Sequence, residues 1–243
     1  MTLKINKISK RFGGIVALDN CSLEIKKGLI TAIIGPNGSG KSTLFNVISQ
    51  IIREDKGTIR LKDIELTDMK DYEIARYGVS RTFQEVRLFR NLTIKEHLEI
   101  ALSNDDEKLI KSVIRKEKDN DKRIKEILGL VGLNKSLDTL ATDLSYGQRK
   151  LLDLAIAIAK PHSVLLLDEP VAGINPKLRE EIKHILKWLN KKGETIVVIE
   201  HDMNFVMKLA DYVYVMDDGV VIAHGTPKQV QNNRKVLEAY LGA

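Results

Sequence analysis

Nine residues, Gly35-Pro36-Asn37-Gly38-Ser39-Gly40-Lys41-Ser42-Thr43, constrain this chain more than anything else in it. They match G-x-x-x-x-G-K-[ST] in full. They stand between an apolar run, Leu29 to Ile34, and a segment of helical character, Lys41 to Ile51. The chemistry of anion binding asks for that spacing. Glycines let backbone N–H groups converge on phosphate oxygens, and a helix N-terminus behind them adds a favourable dipole. Lys41 is placed to reach the β- and γ-phosphates, the Ser42 hydroxyl to bind Mg²⁺, and Thr43 to support the α-phosphate.

A magnesium site needs a further carboxylate at the end of a neighbouring strand. The run Val164-Leu165-Leu166-Leu167 reads as a buried strand that ends on Asp168-Glu169-Pro170. Ligands of open α/β sheets gather at that carboxyl edge. Asp168 is therefore a candidate metal ligand, and Glu169 a candidate general base for an attacking water. Alone an Asp-Glu pair means little, but after four buried hydrophobics in a chain with this loop it carries weight.

The rest of the pattern surrounds this core. Leu3, Ile5 and Ile8, then Ile15 to Leu18 and Leu23 to Ile25, read as β-structure about a Gly13-Gly14 turn. Short strands follow near Gly57 to Leu61 and Val79 to Thr82. From about Leu88 to Leu133 apolar residues recur at helical spacing: Ile94, Leu98 and Leu102; Ile110, Val113 and Ile114; Ile124, Ile127 and Leu128. The charged stretch Asn104 to Lys125 reads as a solvated helical surface. Strand and helix then alternate: Pro176 to Asn190 a helix, Thr195 to Ile199 a strand, and Tyr212 to Met216 and Val220 to Ala223 around the turn Asp217-Asp218-Gly219. An open α/β core interrupted by a helical insert is the economical architecture.

Composition excludes several classes. No apolar run approaches the roughly 20 residues that span a bilayer, and the N-terminus has no signal-peptide core, so a soluble, untranslocated chain is expected. The single cysteine, Cys21, cannot pair within the chain and reads as a small buried residue. Five histidines show no metal-ligand spacing. The net charge of +6 suits an anionic ligand or an anionic membrane surface, and equally plain solubility. An aromatic content of 5% argues against a base-stacking nucleic-acid platform.

Beyond these residues the chain resembles the ATP-binding cassette (ABC) family along nearly its whole length. Leu144-Ser145-Tyr146-Gly147-Gln148 is similar to the family signature LSGGQ, and Gln84 to the glutamine of its Q-loop. Ala172-Gly173-Ile174-Asn175 resembles the D-loop, His201 the switch histidine, and Phe12 the aromatic that stacks on adenine. The resemblance implies an α/β fold with a P-loop NTPase (RecA-like) core, an antiparallel β subdomain and a helical subdomain. The β and RecA-like parts are expected at about 1–85 and 160–243, the helical part at about 86–159. It also implies ATP and Mg²⁺ as ligands, with Lys41, Gln84, Glu169 and His201 catalytic. The loop Gly35–Thr43, Phe12 and, from a second chain, Ser145, Gly147 and Gln148 would hold nucleotide. Ser42, Asp168 and Gln84 would arrange the metal. The departure is Tyr146, where the consensus has glycine; a positive φ there would strain it.

Closer likeness lies in Gly78-Val79-Ser80-Arg81-Thr82-Phe83-Gln84 with Arg87, Phe89 and Leu92 to Ile94, which resembles the branched-chain amino-acid type of importer. Importers of urea and other amides share this subgroup. The partners so implied are a second cassette, identical or a sister chain, membrane permeases, and a solute-binding protein, with no nucleic acid, at the inner face of the cell membrane. A soluble cassette serving assembly or regulation, or an export-linked one, is the alternative. Phe12 could instead be a core aromatic, His201 a satisfied core or capping histidine and Gln84 a surface residue. Arg81, Arg87 and Arg90 read equally as a grip on a membrane partner and as a solvated basic face.

Overall fold

The computed structural model describes residues 3–103 and 113–241. The charged stretch from Asn104 and the apolar position Ile110 thus fall partly or wholly outside the described residues. The strands are β1 (Leu3–Phe12), β2 (Ile15–Ile25), β3 (Ile30–Ile34), β4 (Lys56–Leu61), β5 (Ile64–Glu65), β6 (Val79–Arg81), β7 (Val164–Asp168), β8 (Ile196–Ile199), β9 (Tyr212–Asp217) and β10 (Val220–Gly225). The helices are α1 (Lys41–Ile48), α2 (Asp71–Arg76), α3 (Ile94–Leu102), α4 (Val113–Val131), α5 (Tyr146–Ala159), α6 (Pro176–Lys191), α7 (Met203–Leu209), α8 (Pro227–Gln231) and α9 (Arg234–Leu241).

Contacts divide the chain into two compact units. The first runs to Arg81, returns at Ser163–Pro170 and resumes from Leu186; the second holds Thr82–His162 and Val171–Ile185. Among the described residues of the first unit the strands form two sheets. One is antiparallel, in the order β2-β1-β4-β5. The other runs β10-β9-β3-β8-β7-β6, parallel from β9 to β6 and closed by antiparallel β10. Every residue of β3, β7 and β8 is buried, as a parallel sheet covered on both faces requires. That burial explains why the three read as unbroken apolar runs. Each fully buried Ile or Leu contributes roughly 1.5–3 kcal/mol. One core cluster joins Leu3, Ile5 and Ile59 of the antiparallel sheet to Phe45 and Ile48 of α1 and to Leu166 and Ile199 of the parallel one.

The predicted helix Lys41 to Ile51 is shorter in the structure. It stops at Ile48 because Gln50 takes a φ of +53°, outside the right-handed helical region. Cys21 is buried in β2, and burial pushes its thiol up to about 12. The thiol stays protonated and inert at neutral pH.

The second unit is helical. α5 packs on α3 and α4, and the Thr93–Glu96 capping box starts α3. Among the described residues no helix is long and apolar enough to cross a membrane. Within α5, Asp153 is buried at 9% exposure. Its carboxyl is pushed from an ordinary 3.8 to about 7 by burial, with Lys150 pulling partly back. Between those values the native state keeps a proton that the unfolded chain has lost, so its contribution to stability falls as pH rises through this window. Asp153→Asn should therefore stabilise the protein at pH 8 by about 1–3 kcal/mol and change little near pH 4. Urea melts of both proteins at the two pH values check this.

Candidate nucleotide site

The loop after β3 is closed by backbone packing that glycine alone permits. A Cβ on Gly35 would stand 2.0 Å from the Met216 carbonyl oxygen, and one on Gly40 2.4 Å from that of Ala17. Gly40 also holds a φ of +94° as it leads into α1. Between them Asn37 and Gly38 are exposed, and a Cβ on Gly38 would meet nothing within 4 Å. The loop is thus anchored at both ends and open in the middle, the shape of a cradle. Lys41 folds into it and is 7% exposed. Its ammonium donates to the carbonyls of Gly35 (2.9 Å) and Pro36 (2.7 Å) and to Ser39 Oγ (3.2 Å). Burial pulls its pKa down while the nearby carboxylates of Glu169 and Asp168 hold it up. Ser42, the second residue of α1, is exposed, and Thr43 is half-buried beside it.

Asp168 closes β7 and Glu169 follows. Asp168 is 2% exposed. Glu169 adopts a φ of +48°, a left-handed conformation that costs a non-glycine residue about 1–3 kcal/mol. Its amide donates to the Ile199 carbonyl at 3.0 Å, which fixes the turn against β8. β8 itself leads to His201, whose Nδ1 lies 3.8 Å from Glu169 Oε1 and whose side chain is 58% exposed. Helix α7 is capped by Asp202, which accepts from the Phe205 amide at 3.0 Å, so His201 is not the capping residue. Phe12 ends β1 at 45% exposure, with the Lys10 ammonium 5.7 Å from its ring centroid, so it is no core aromatic.

One expectation is overturned. Arg81 belongs neither to a solvated face nor to an exposed grip: its side chain is 7% exposed and pairs with Asp168 at 3.2 Å. Strand β6 lies beside β7 in parallel register, Arg81 against Leu166, and the side chain turns inward along that edge. No local feature around Arg81 announces this partner, because the adjacency of β6 and β7 is set only in the folded sheet. Arg87, by contrast, stacks over Phe83 at 4.1 Å.

The remaining predicted residues sit in the second unit. Gln84 is exposed, and its backbone carbonyl accepts from the Lys150 ammonium at 3.0 Å. Ser145 caps α5 in a reciprocal box: its hydroxyl accepts from the Gln148 amide at 3.4 Å, and Gln148 Oε1 accepts from the Ser145 amide at 3.0 Å. Such a cap is worth about 1 kcal/mol. It leaves the amides of Tyr146 and Gly147, in the first turn, without partners inside the helix. A Cβ on Gly147 would stand 2.6 Å from the Leu178 Cδ2 methyl of α6, a flexible side-chain end. Tyr146 is an ordinary first-turn residue with no positive φ, and its ring lies over Gly173. The strain that a positive φ would have imposed does not arise. Asn175 accepts from the Leu178 amide at 2.9 Å and so caps α6.

These donors fit a magnesium nucleotide. A desolvated ammonium lies inside a glycine loop, an exposed hydroxyl lies in the first turn of the helix, and a fixed carboxylate ends β7, the next strand but one from β3. The parallel core, the loop at its carboxyl edge and the separate helical unit define a P-loop ATPase. Residues 18–172 match the family described as "ABC transporter", and residues 220–243 match "Branched-chain amino acid ATP-binding cassette transporter". The chain belongs to the ATP-binding cassette transporter family. It is 38% identical to the high-affinity branched-chain amino acid transport ATP-binding protein LivG of Salmonella typhimurium, over 99% of this chain and 97% of that one. Among solved structures it is similar to an ATP-binding cassette in its ADP conformation (TM-score 0.86, 35% identity, 100% of both chains). It is also similar to a dimeric bacterial ABC transporter cassette (TM-score 0.82, 29% identity, 93% of this chain and 98% of that one).

The loop geometry carries a test. Gly40→Ala forces a side chain into a left-handed position against the Ala17 carbonyl, and should cost about 1–3 kcal/mol of stability together with nucleotide retention. Urea melting and equilibrium binding of a fluorescent ADP analogue measure the two effects.

Proposed function

We propose that this chain is the ATP-hydrolysing subunit of an importer for branched-chain amino acids or related small polar solutes. The observation that carries the ATPase assignment is the buried Lys41 ammonium, held in the glycine loop under the influence of both Asp168 and Glu169. Lys41 and the amides of Gly38 to Ser42 bind the phosphates, and Thr43 supports the α-phosphate. Ser42 and Asp168 would hold Mg²⁺ and its waters, and Phe12 offers its exposed ring to adenine. Mg²⁺, when bound, neutralises charge that builds on the phosphate oxygens. Glu169 takes the proton of the attacking water, and His201 beside it holds the γ-phosphate and senses its loss. Positioning and charge are most of what phosphoryl transfer asks of a protein.

The dimeric relative supports a second cassette, identical or a sister chain, placed so that Ser145, Gly147 and Gln148 of one chain face the nucleotide of the other. The Tyr146 and Gly147 amides are then donors to the γ-phosphate at a helix N-terminus. The transport names of the relatives, with the C-terminal family match, support the importer and its solute. Permeases and a solute-binding protein complete such a system, and the cassette lies on the inner face of the membrane. A groove of about 620 Å³ in the helical unit, lined by Val86, Leu88, Arg90 and Tyr146 among others, suits a permease segment.

Two measurements bear on this. Glu169→Gln should still bind ATP while turnover falls about 10²-fold or more; hydrolysis at the parental rate rejects the assigned base. Extraction of the native complex in mild detergent should co-purify polytopic subunits, and a cassette recovered alone points to a soluble role.

A further inference from the structure

Arg81 is buried against Asp168, and the nucleotide chemistry described above gives it no task. Its guanidinium is held from three sides. Nη2 donates to Asp168 Oδ2 at 3.2 Å, Nη1 donates to Ser49 Oγ at 2.8 Å, and the cation lies 5.6 Å from the centroid of the Phe45 ring. Ser49 in turn donates to the Phe45 carbonyl, so the arginine is tied to the last turn of the helix that Lys41 begins. Side chains of Arg81 and Asp168 are 7% and 3% exposed. A charge so deeply placed is tolerated only when paired, and a planar fork that meets two partners at once is a task for arginine and not for lysine. The pair therefore links α1, which opens on the phosphate loop, to the carboxylate at the end of β7.

We propose that Arg81 is a positioning residue that fixes the plane of the Asp168 carboxylate for Mg²⁺, in register with the loop helix. This rests on the reading of Asp168 as a metal ligand. Partners of metal-binding carboxylates act in this way on ligand orientation and on metal affinity. Asp168 is anchored through Oδ2 and Arg81 to Ser49, the residue that ends α1, while Ser42 lies in the first turn of the same helix.

The test titrates Mg²⁺ against a fixed concentration of fluorescent ADP analogue, with nucleotide affinity in EDTA and thermal melting measured alongside. In Arg81→Met the Mg²⁺ midpoint should rise by about tenfold, with metal-free affinity unchanged within about twofold. Arg81→Lys should recover part of the shift, and Ser49→Ala should move the midpoint in the same direction by less. A merely structural arginine lowers the melting temperature and leaves the midpoint where it was, which overturns the proposal. Asp168→Asn separates the two layers. If it raises the midpoint while Arg81→Met does not, only the arginine's role falls; if it changes nothing, the metal reading of Asp168 falls and takes this inference with it. Should Arg81→Met fail to fold, unchanged midpoints in both Arg81→Lys and Ser49→Ala overturn the proposal.

Discussion

The parallel placement of β3 between β8 and β9 is the constraint from which the chemistry of the first unit follows. Ile33 lies level with Ile199 on one side and Tyr214 on the other, while Asp168 at the end of β7 lies level with Ile199. Parallel strands deliver their carboxyl ends to one edge, and so the phosphate loop, the Asp168-Glu169 pair and His201 all leave the sheet there. Burial on both faces of β3, β7 and β8 makes that edge rigid. Short functional turns can then carry unusual conformations, as Glu169 does at φ +48°.

Charge gathers at this edge because the backbone gathers it. Lys41, Arg81 and Asp168 are each mostly buried, a costly arrangement for isolated ions. They are tolerated as a set: the lysine lies among loop carbonyls and near both carboxylates, and the arginine pairs with Asp168 while bonding Ser49. Replacing such ions with apolar groups is often neutral for stability, so stability alone does not account for their presence. The proposed task in binding a polyanion and its metal would account for it.

In the helical unit the signature-like residues also do plain structural work. The Ser145–Gln148 box starts α5, Gly147 lies beside the Leu178 methyl of α6, and the Tyr146 ring covers Gly173. The departure from glycine at Tyr146 is thus absorbed by packing within the unit. Helix α6 begins in this unit, capped by Asn175, and from Leu186 on it belongs to the first.

Local pattern alone determined a great deal here. Unbroken apolar runs announced β3, β7 and β8, since a strand buried on both faces has no polar positions to show. The nine-residue loop announced its own strand and helix, because only glycines at those places allow the backbone approaches to Met216 and Ala17. Weaker signals failed: α2, α7, α8, α9 and the two-residue β5 passed unread, being too short for periodicity to rise above composition. The end of α1 was misjudged because Gln50 adopts a left-handed turn that no residue type there requires. Arg81 was misplaced for a deeper reason. Whether a charged side chain faces solvent or a buried carboxylate 87 residues away depends on which strands lie side by side. The chain's own letters specified what each segment is; only the folded sheet, by setting strand order and register, decided which charges meet.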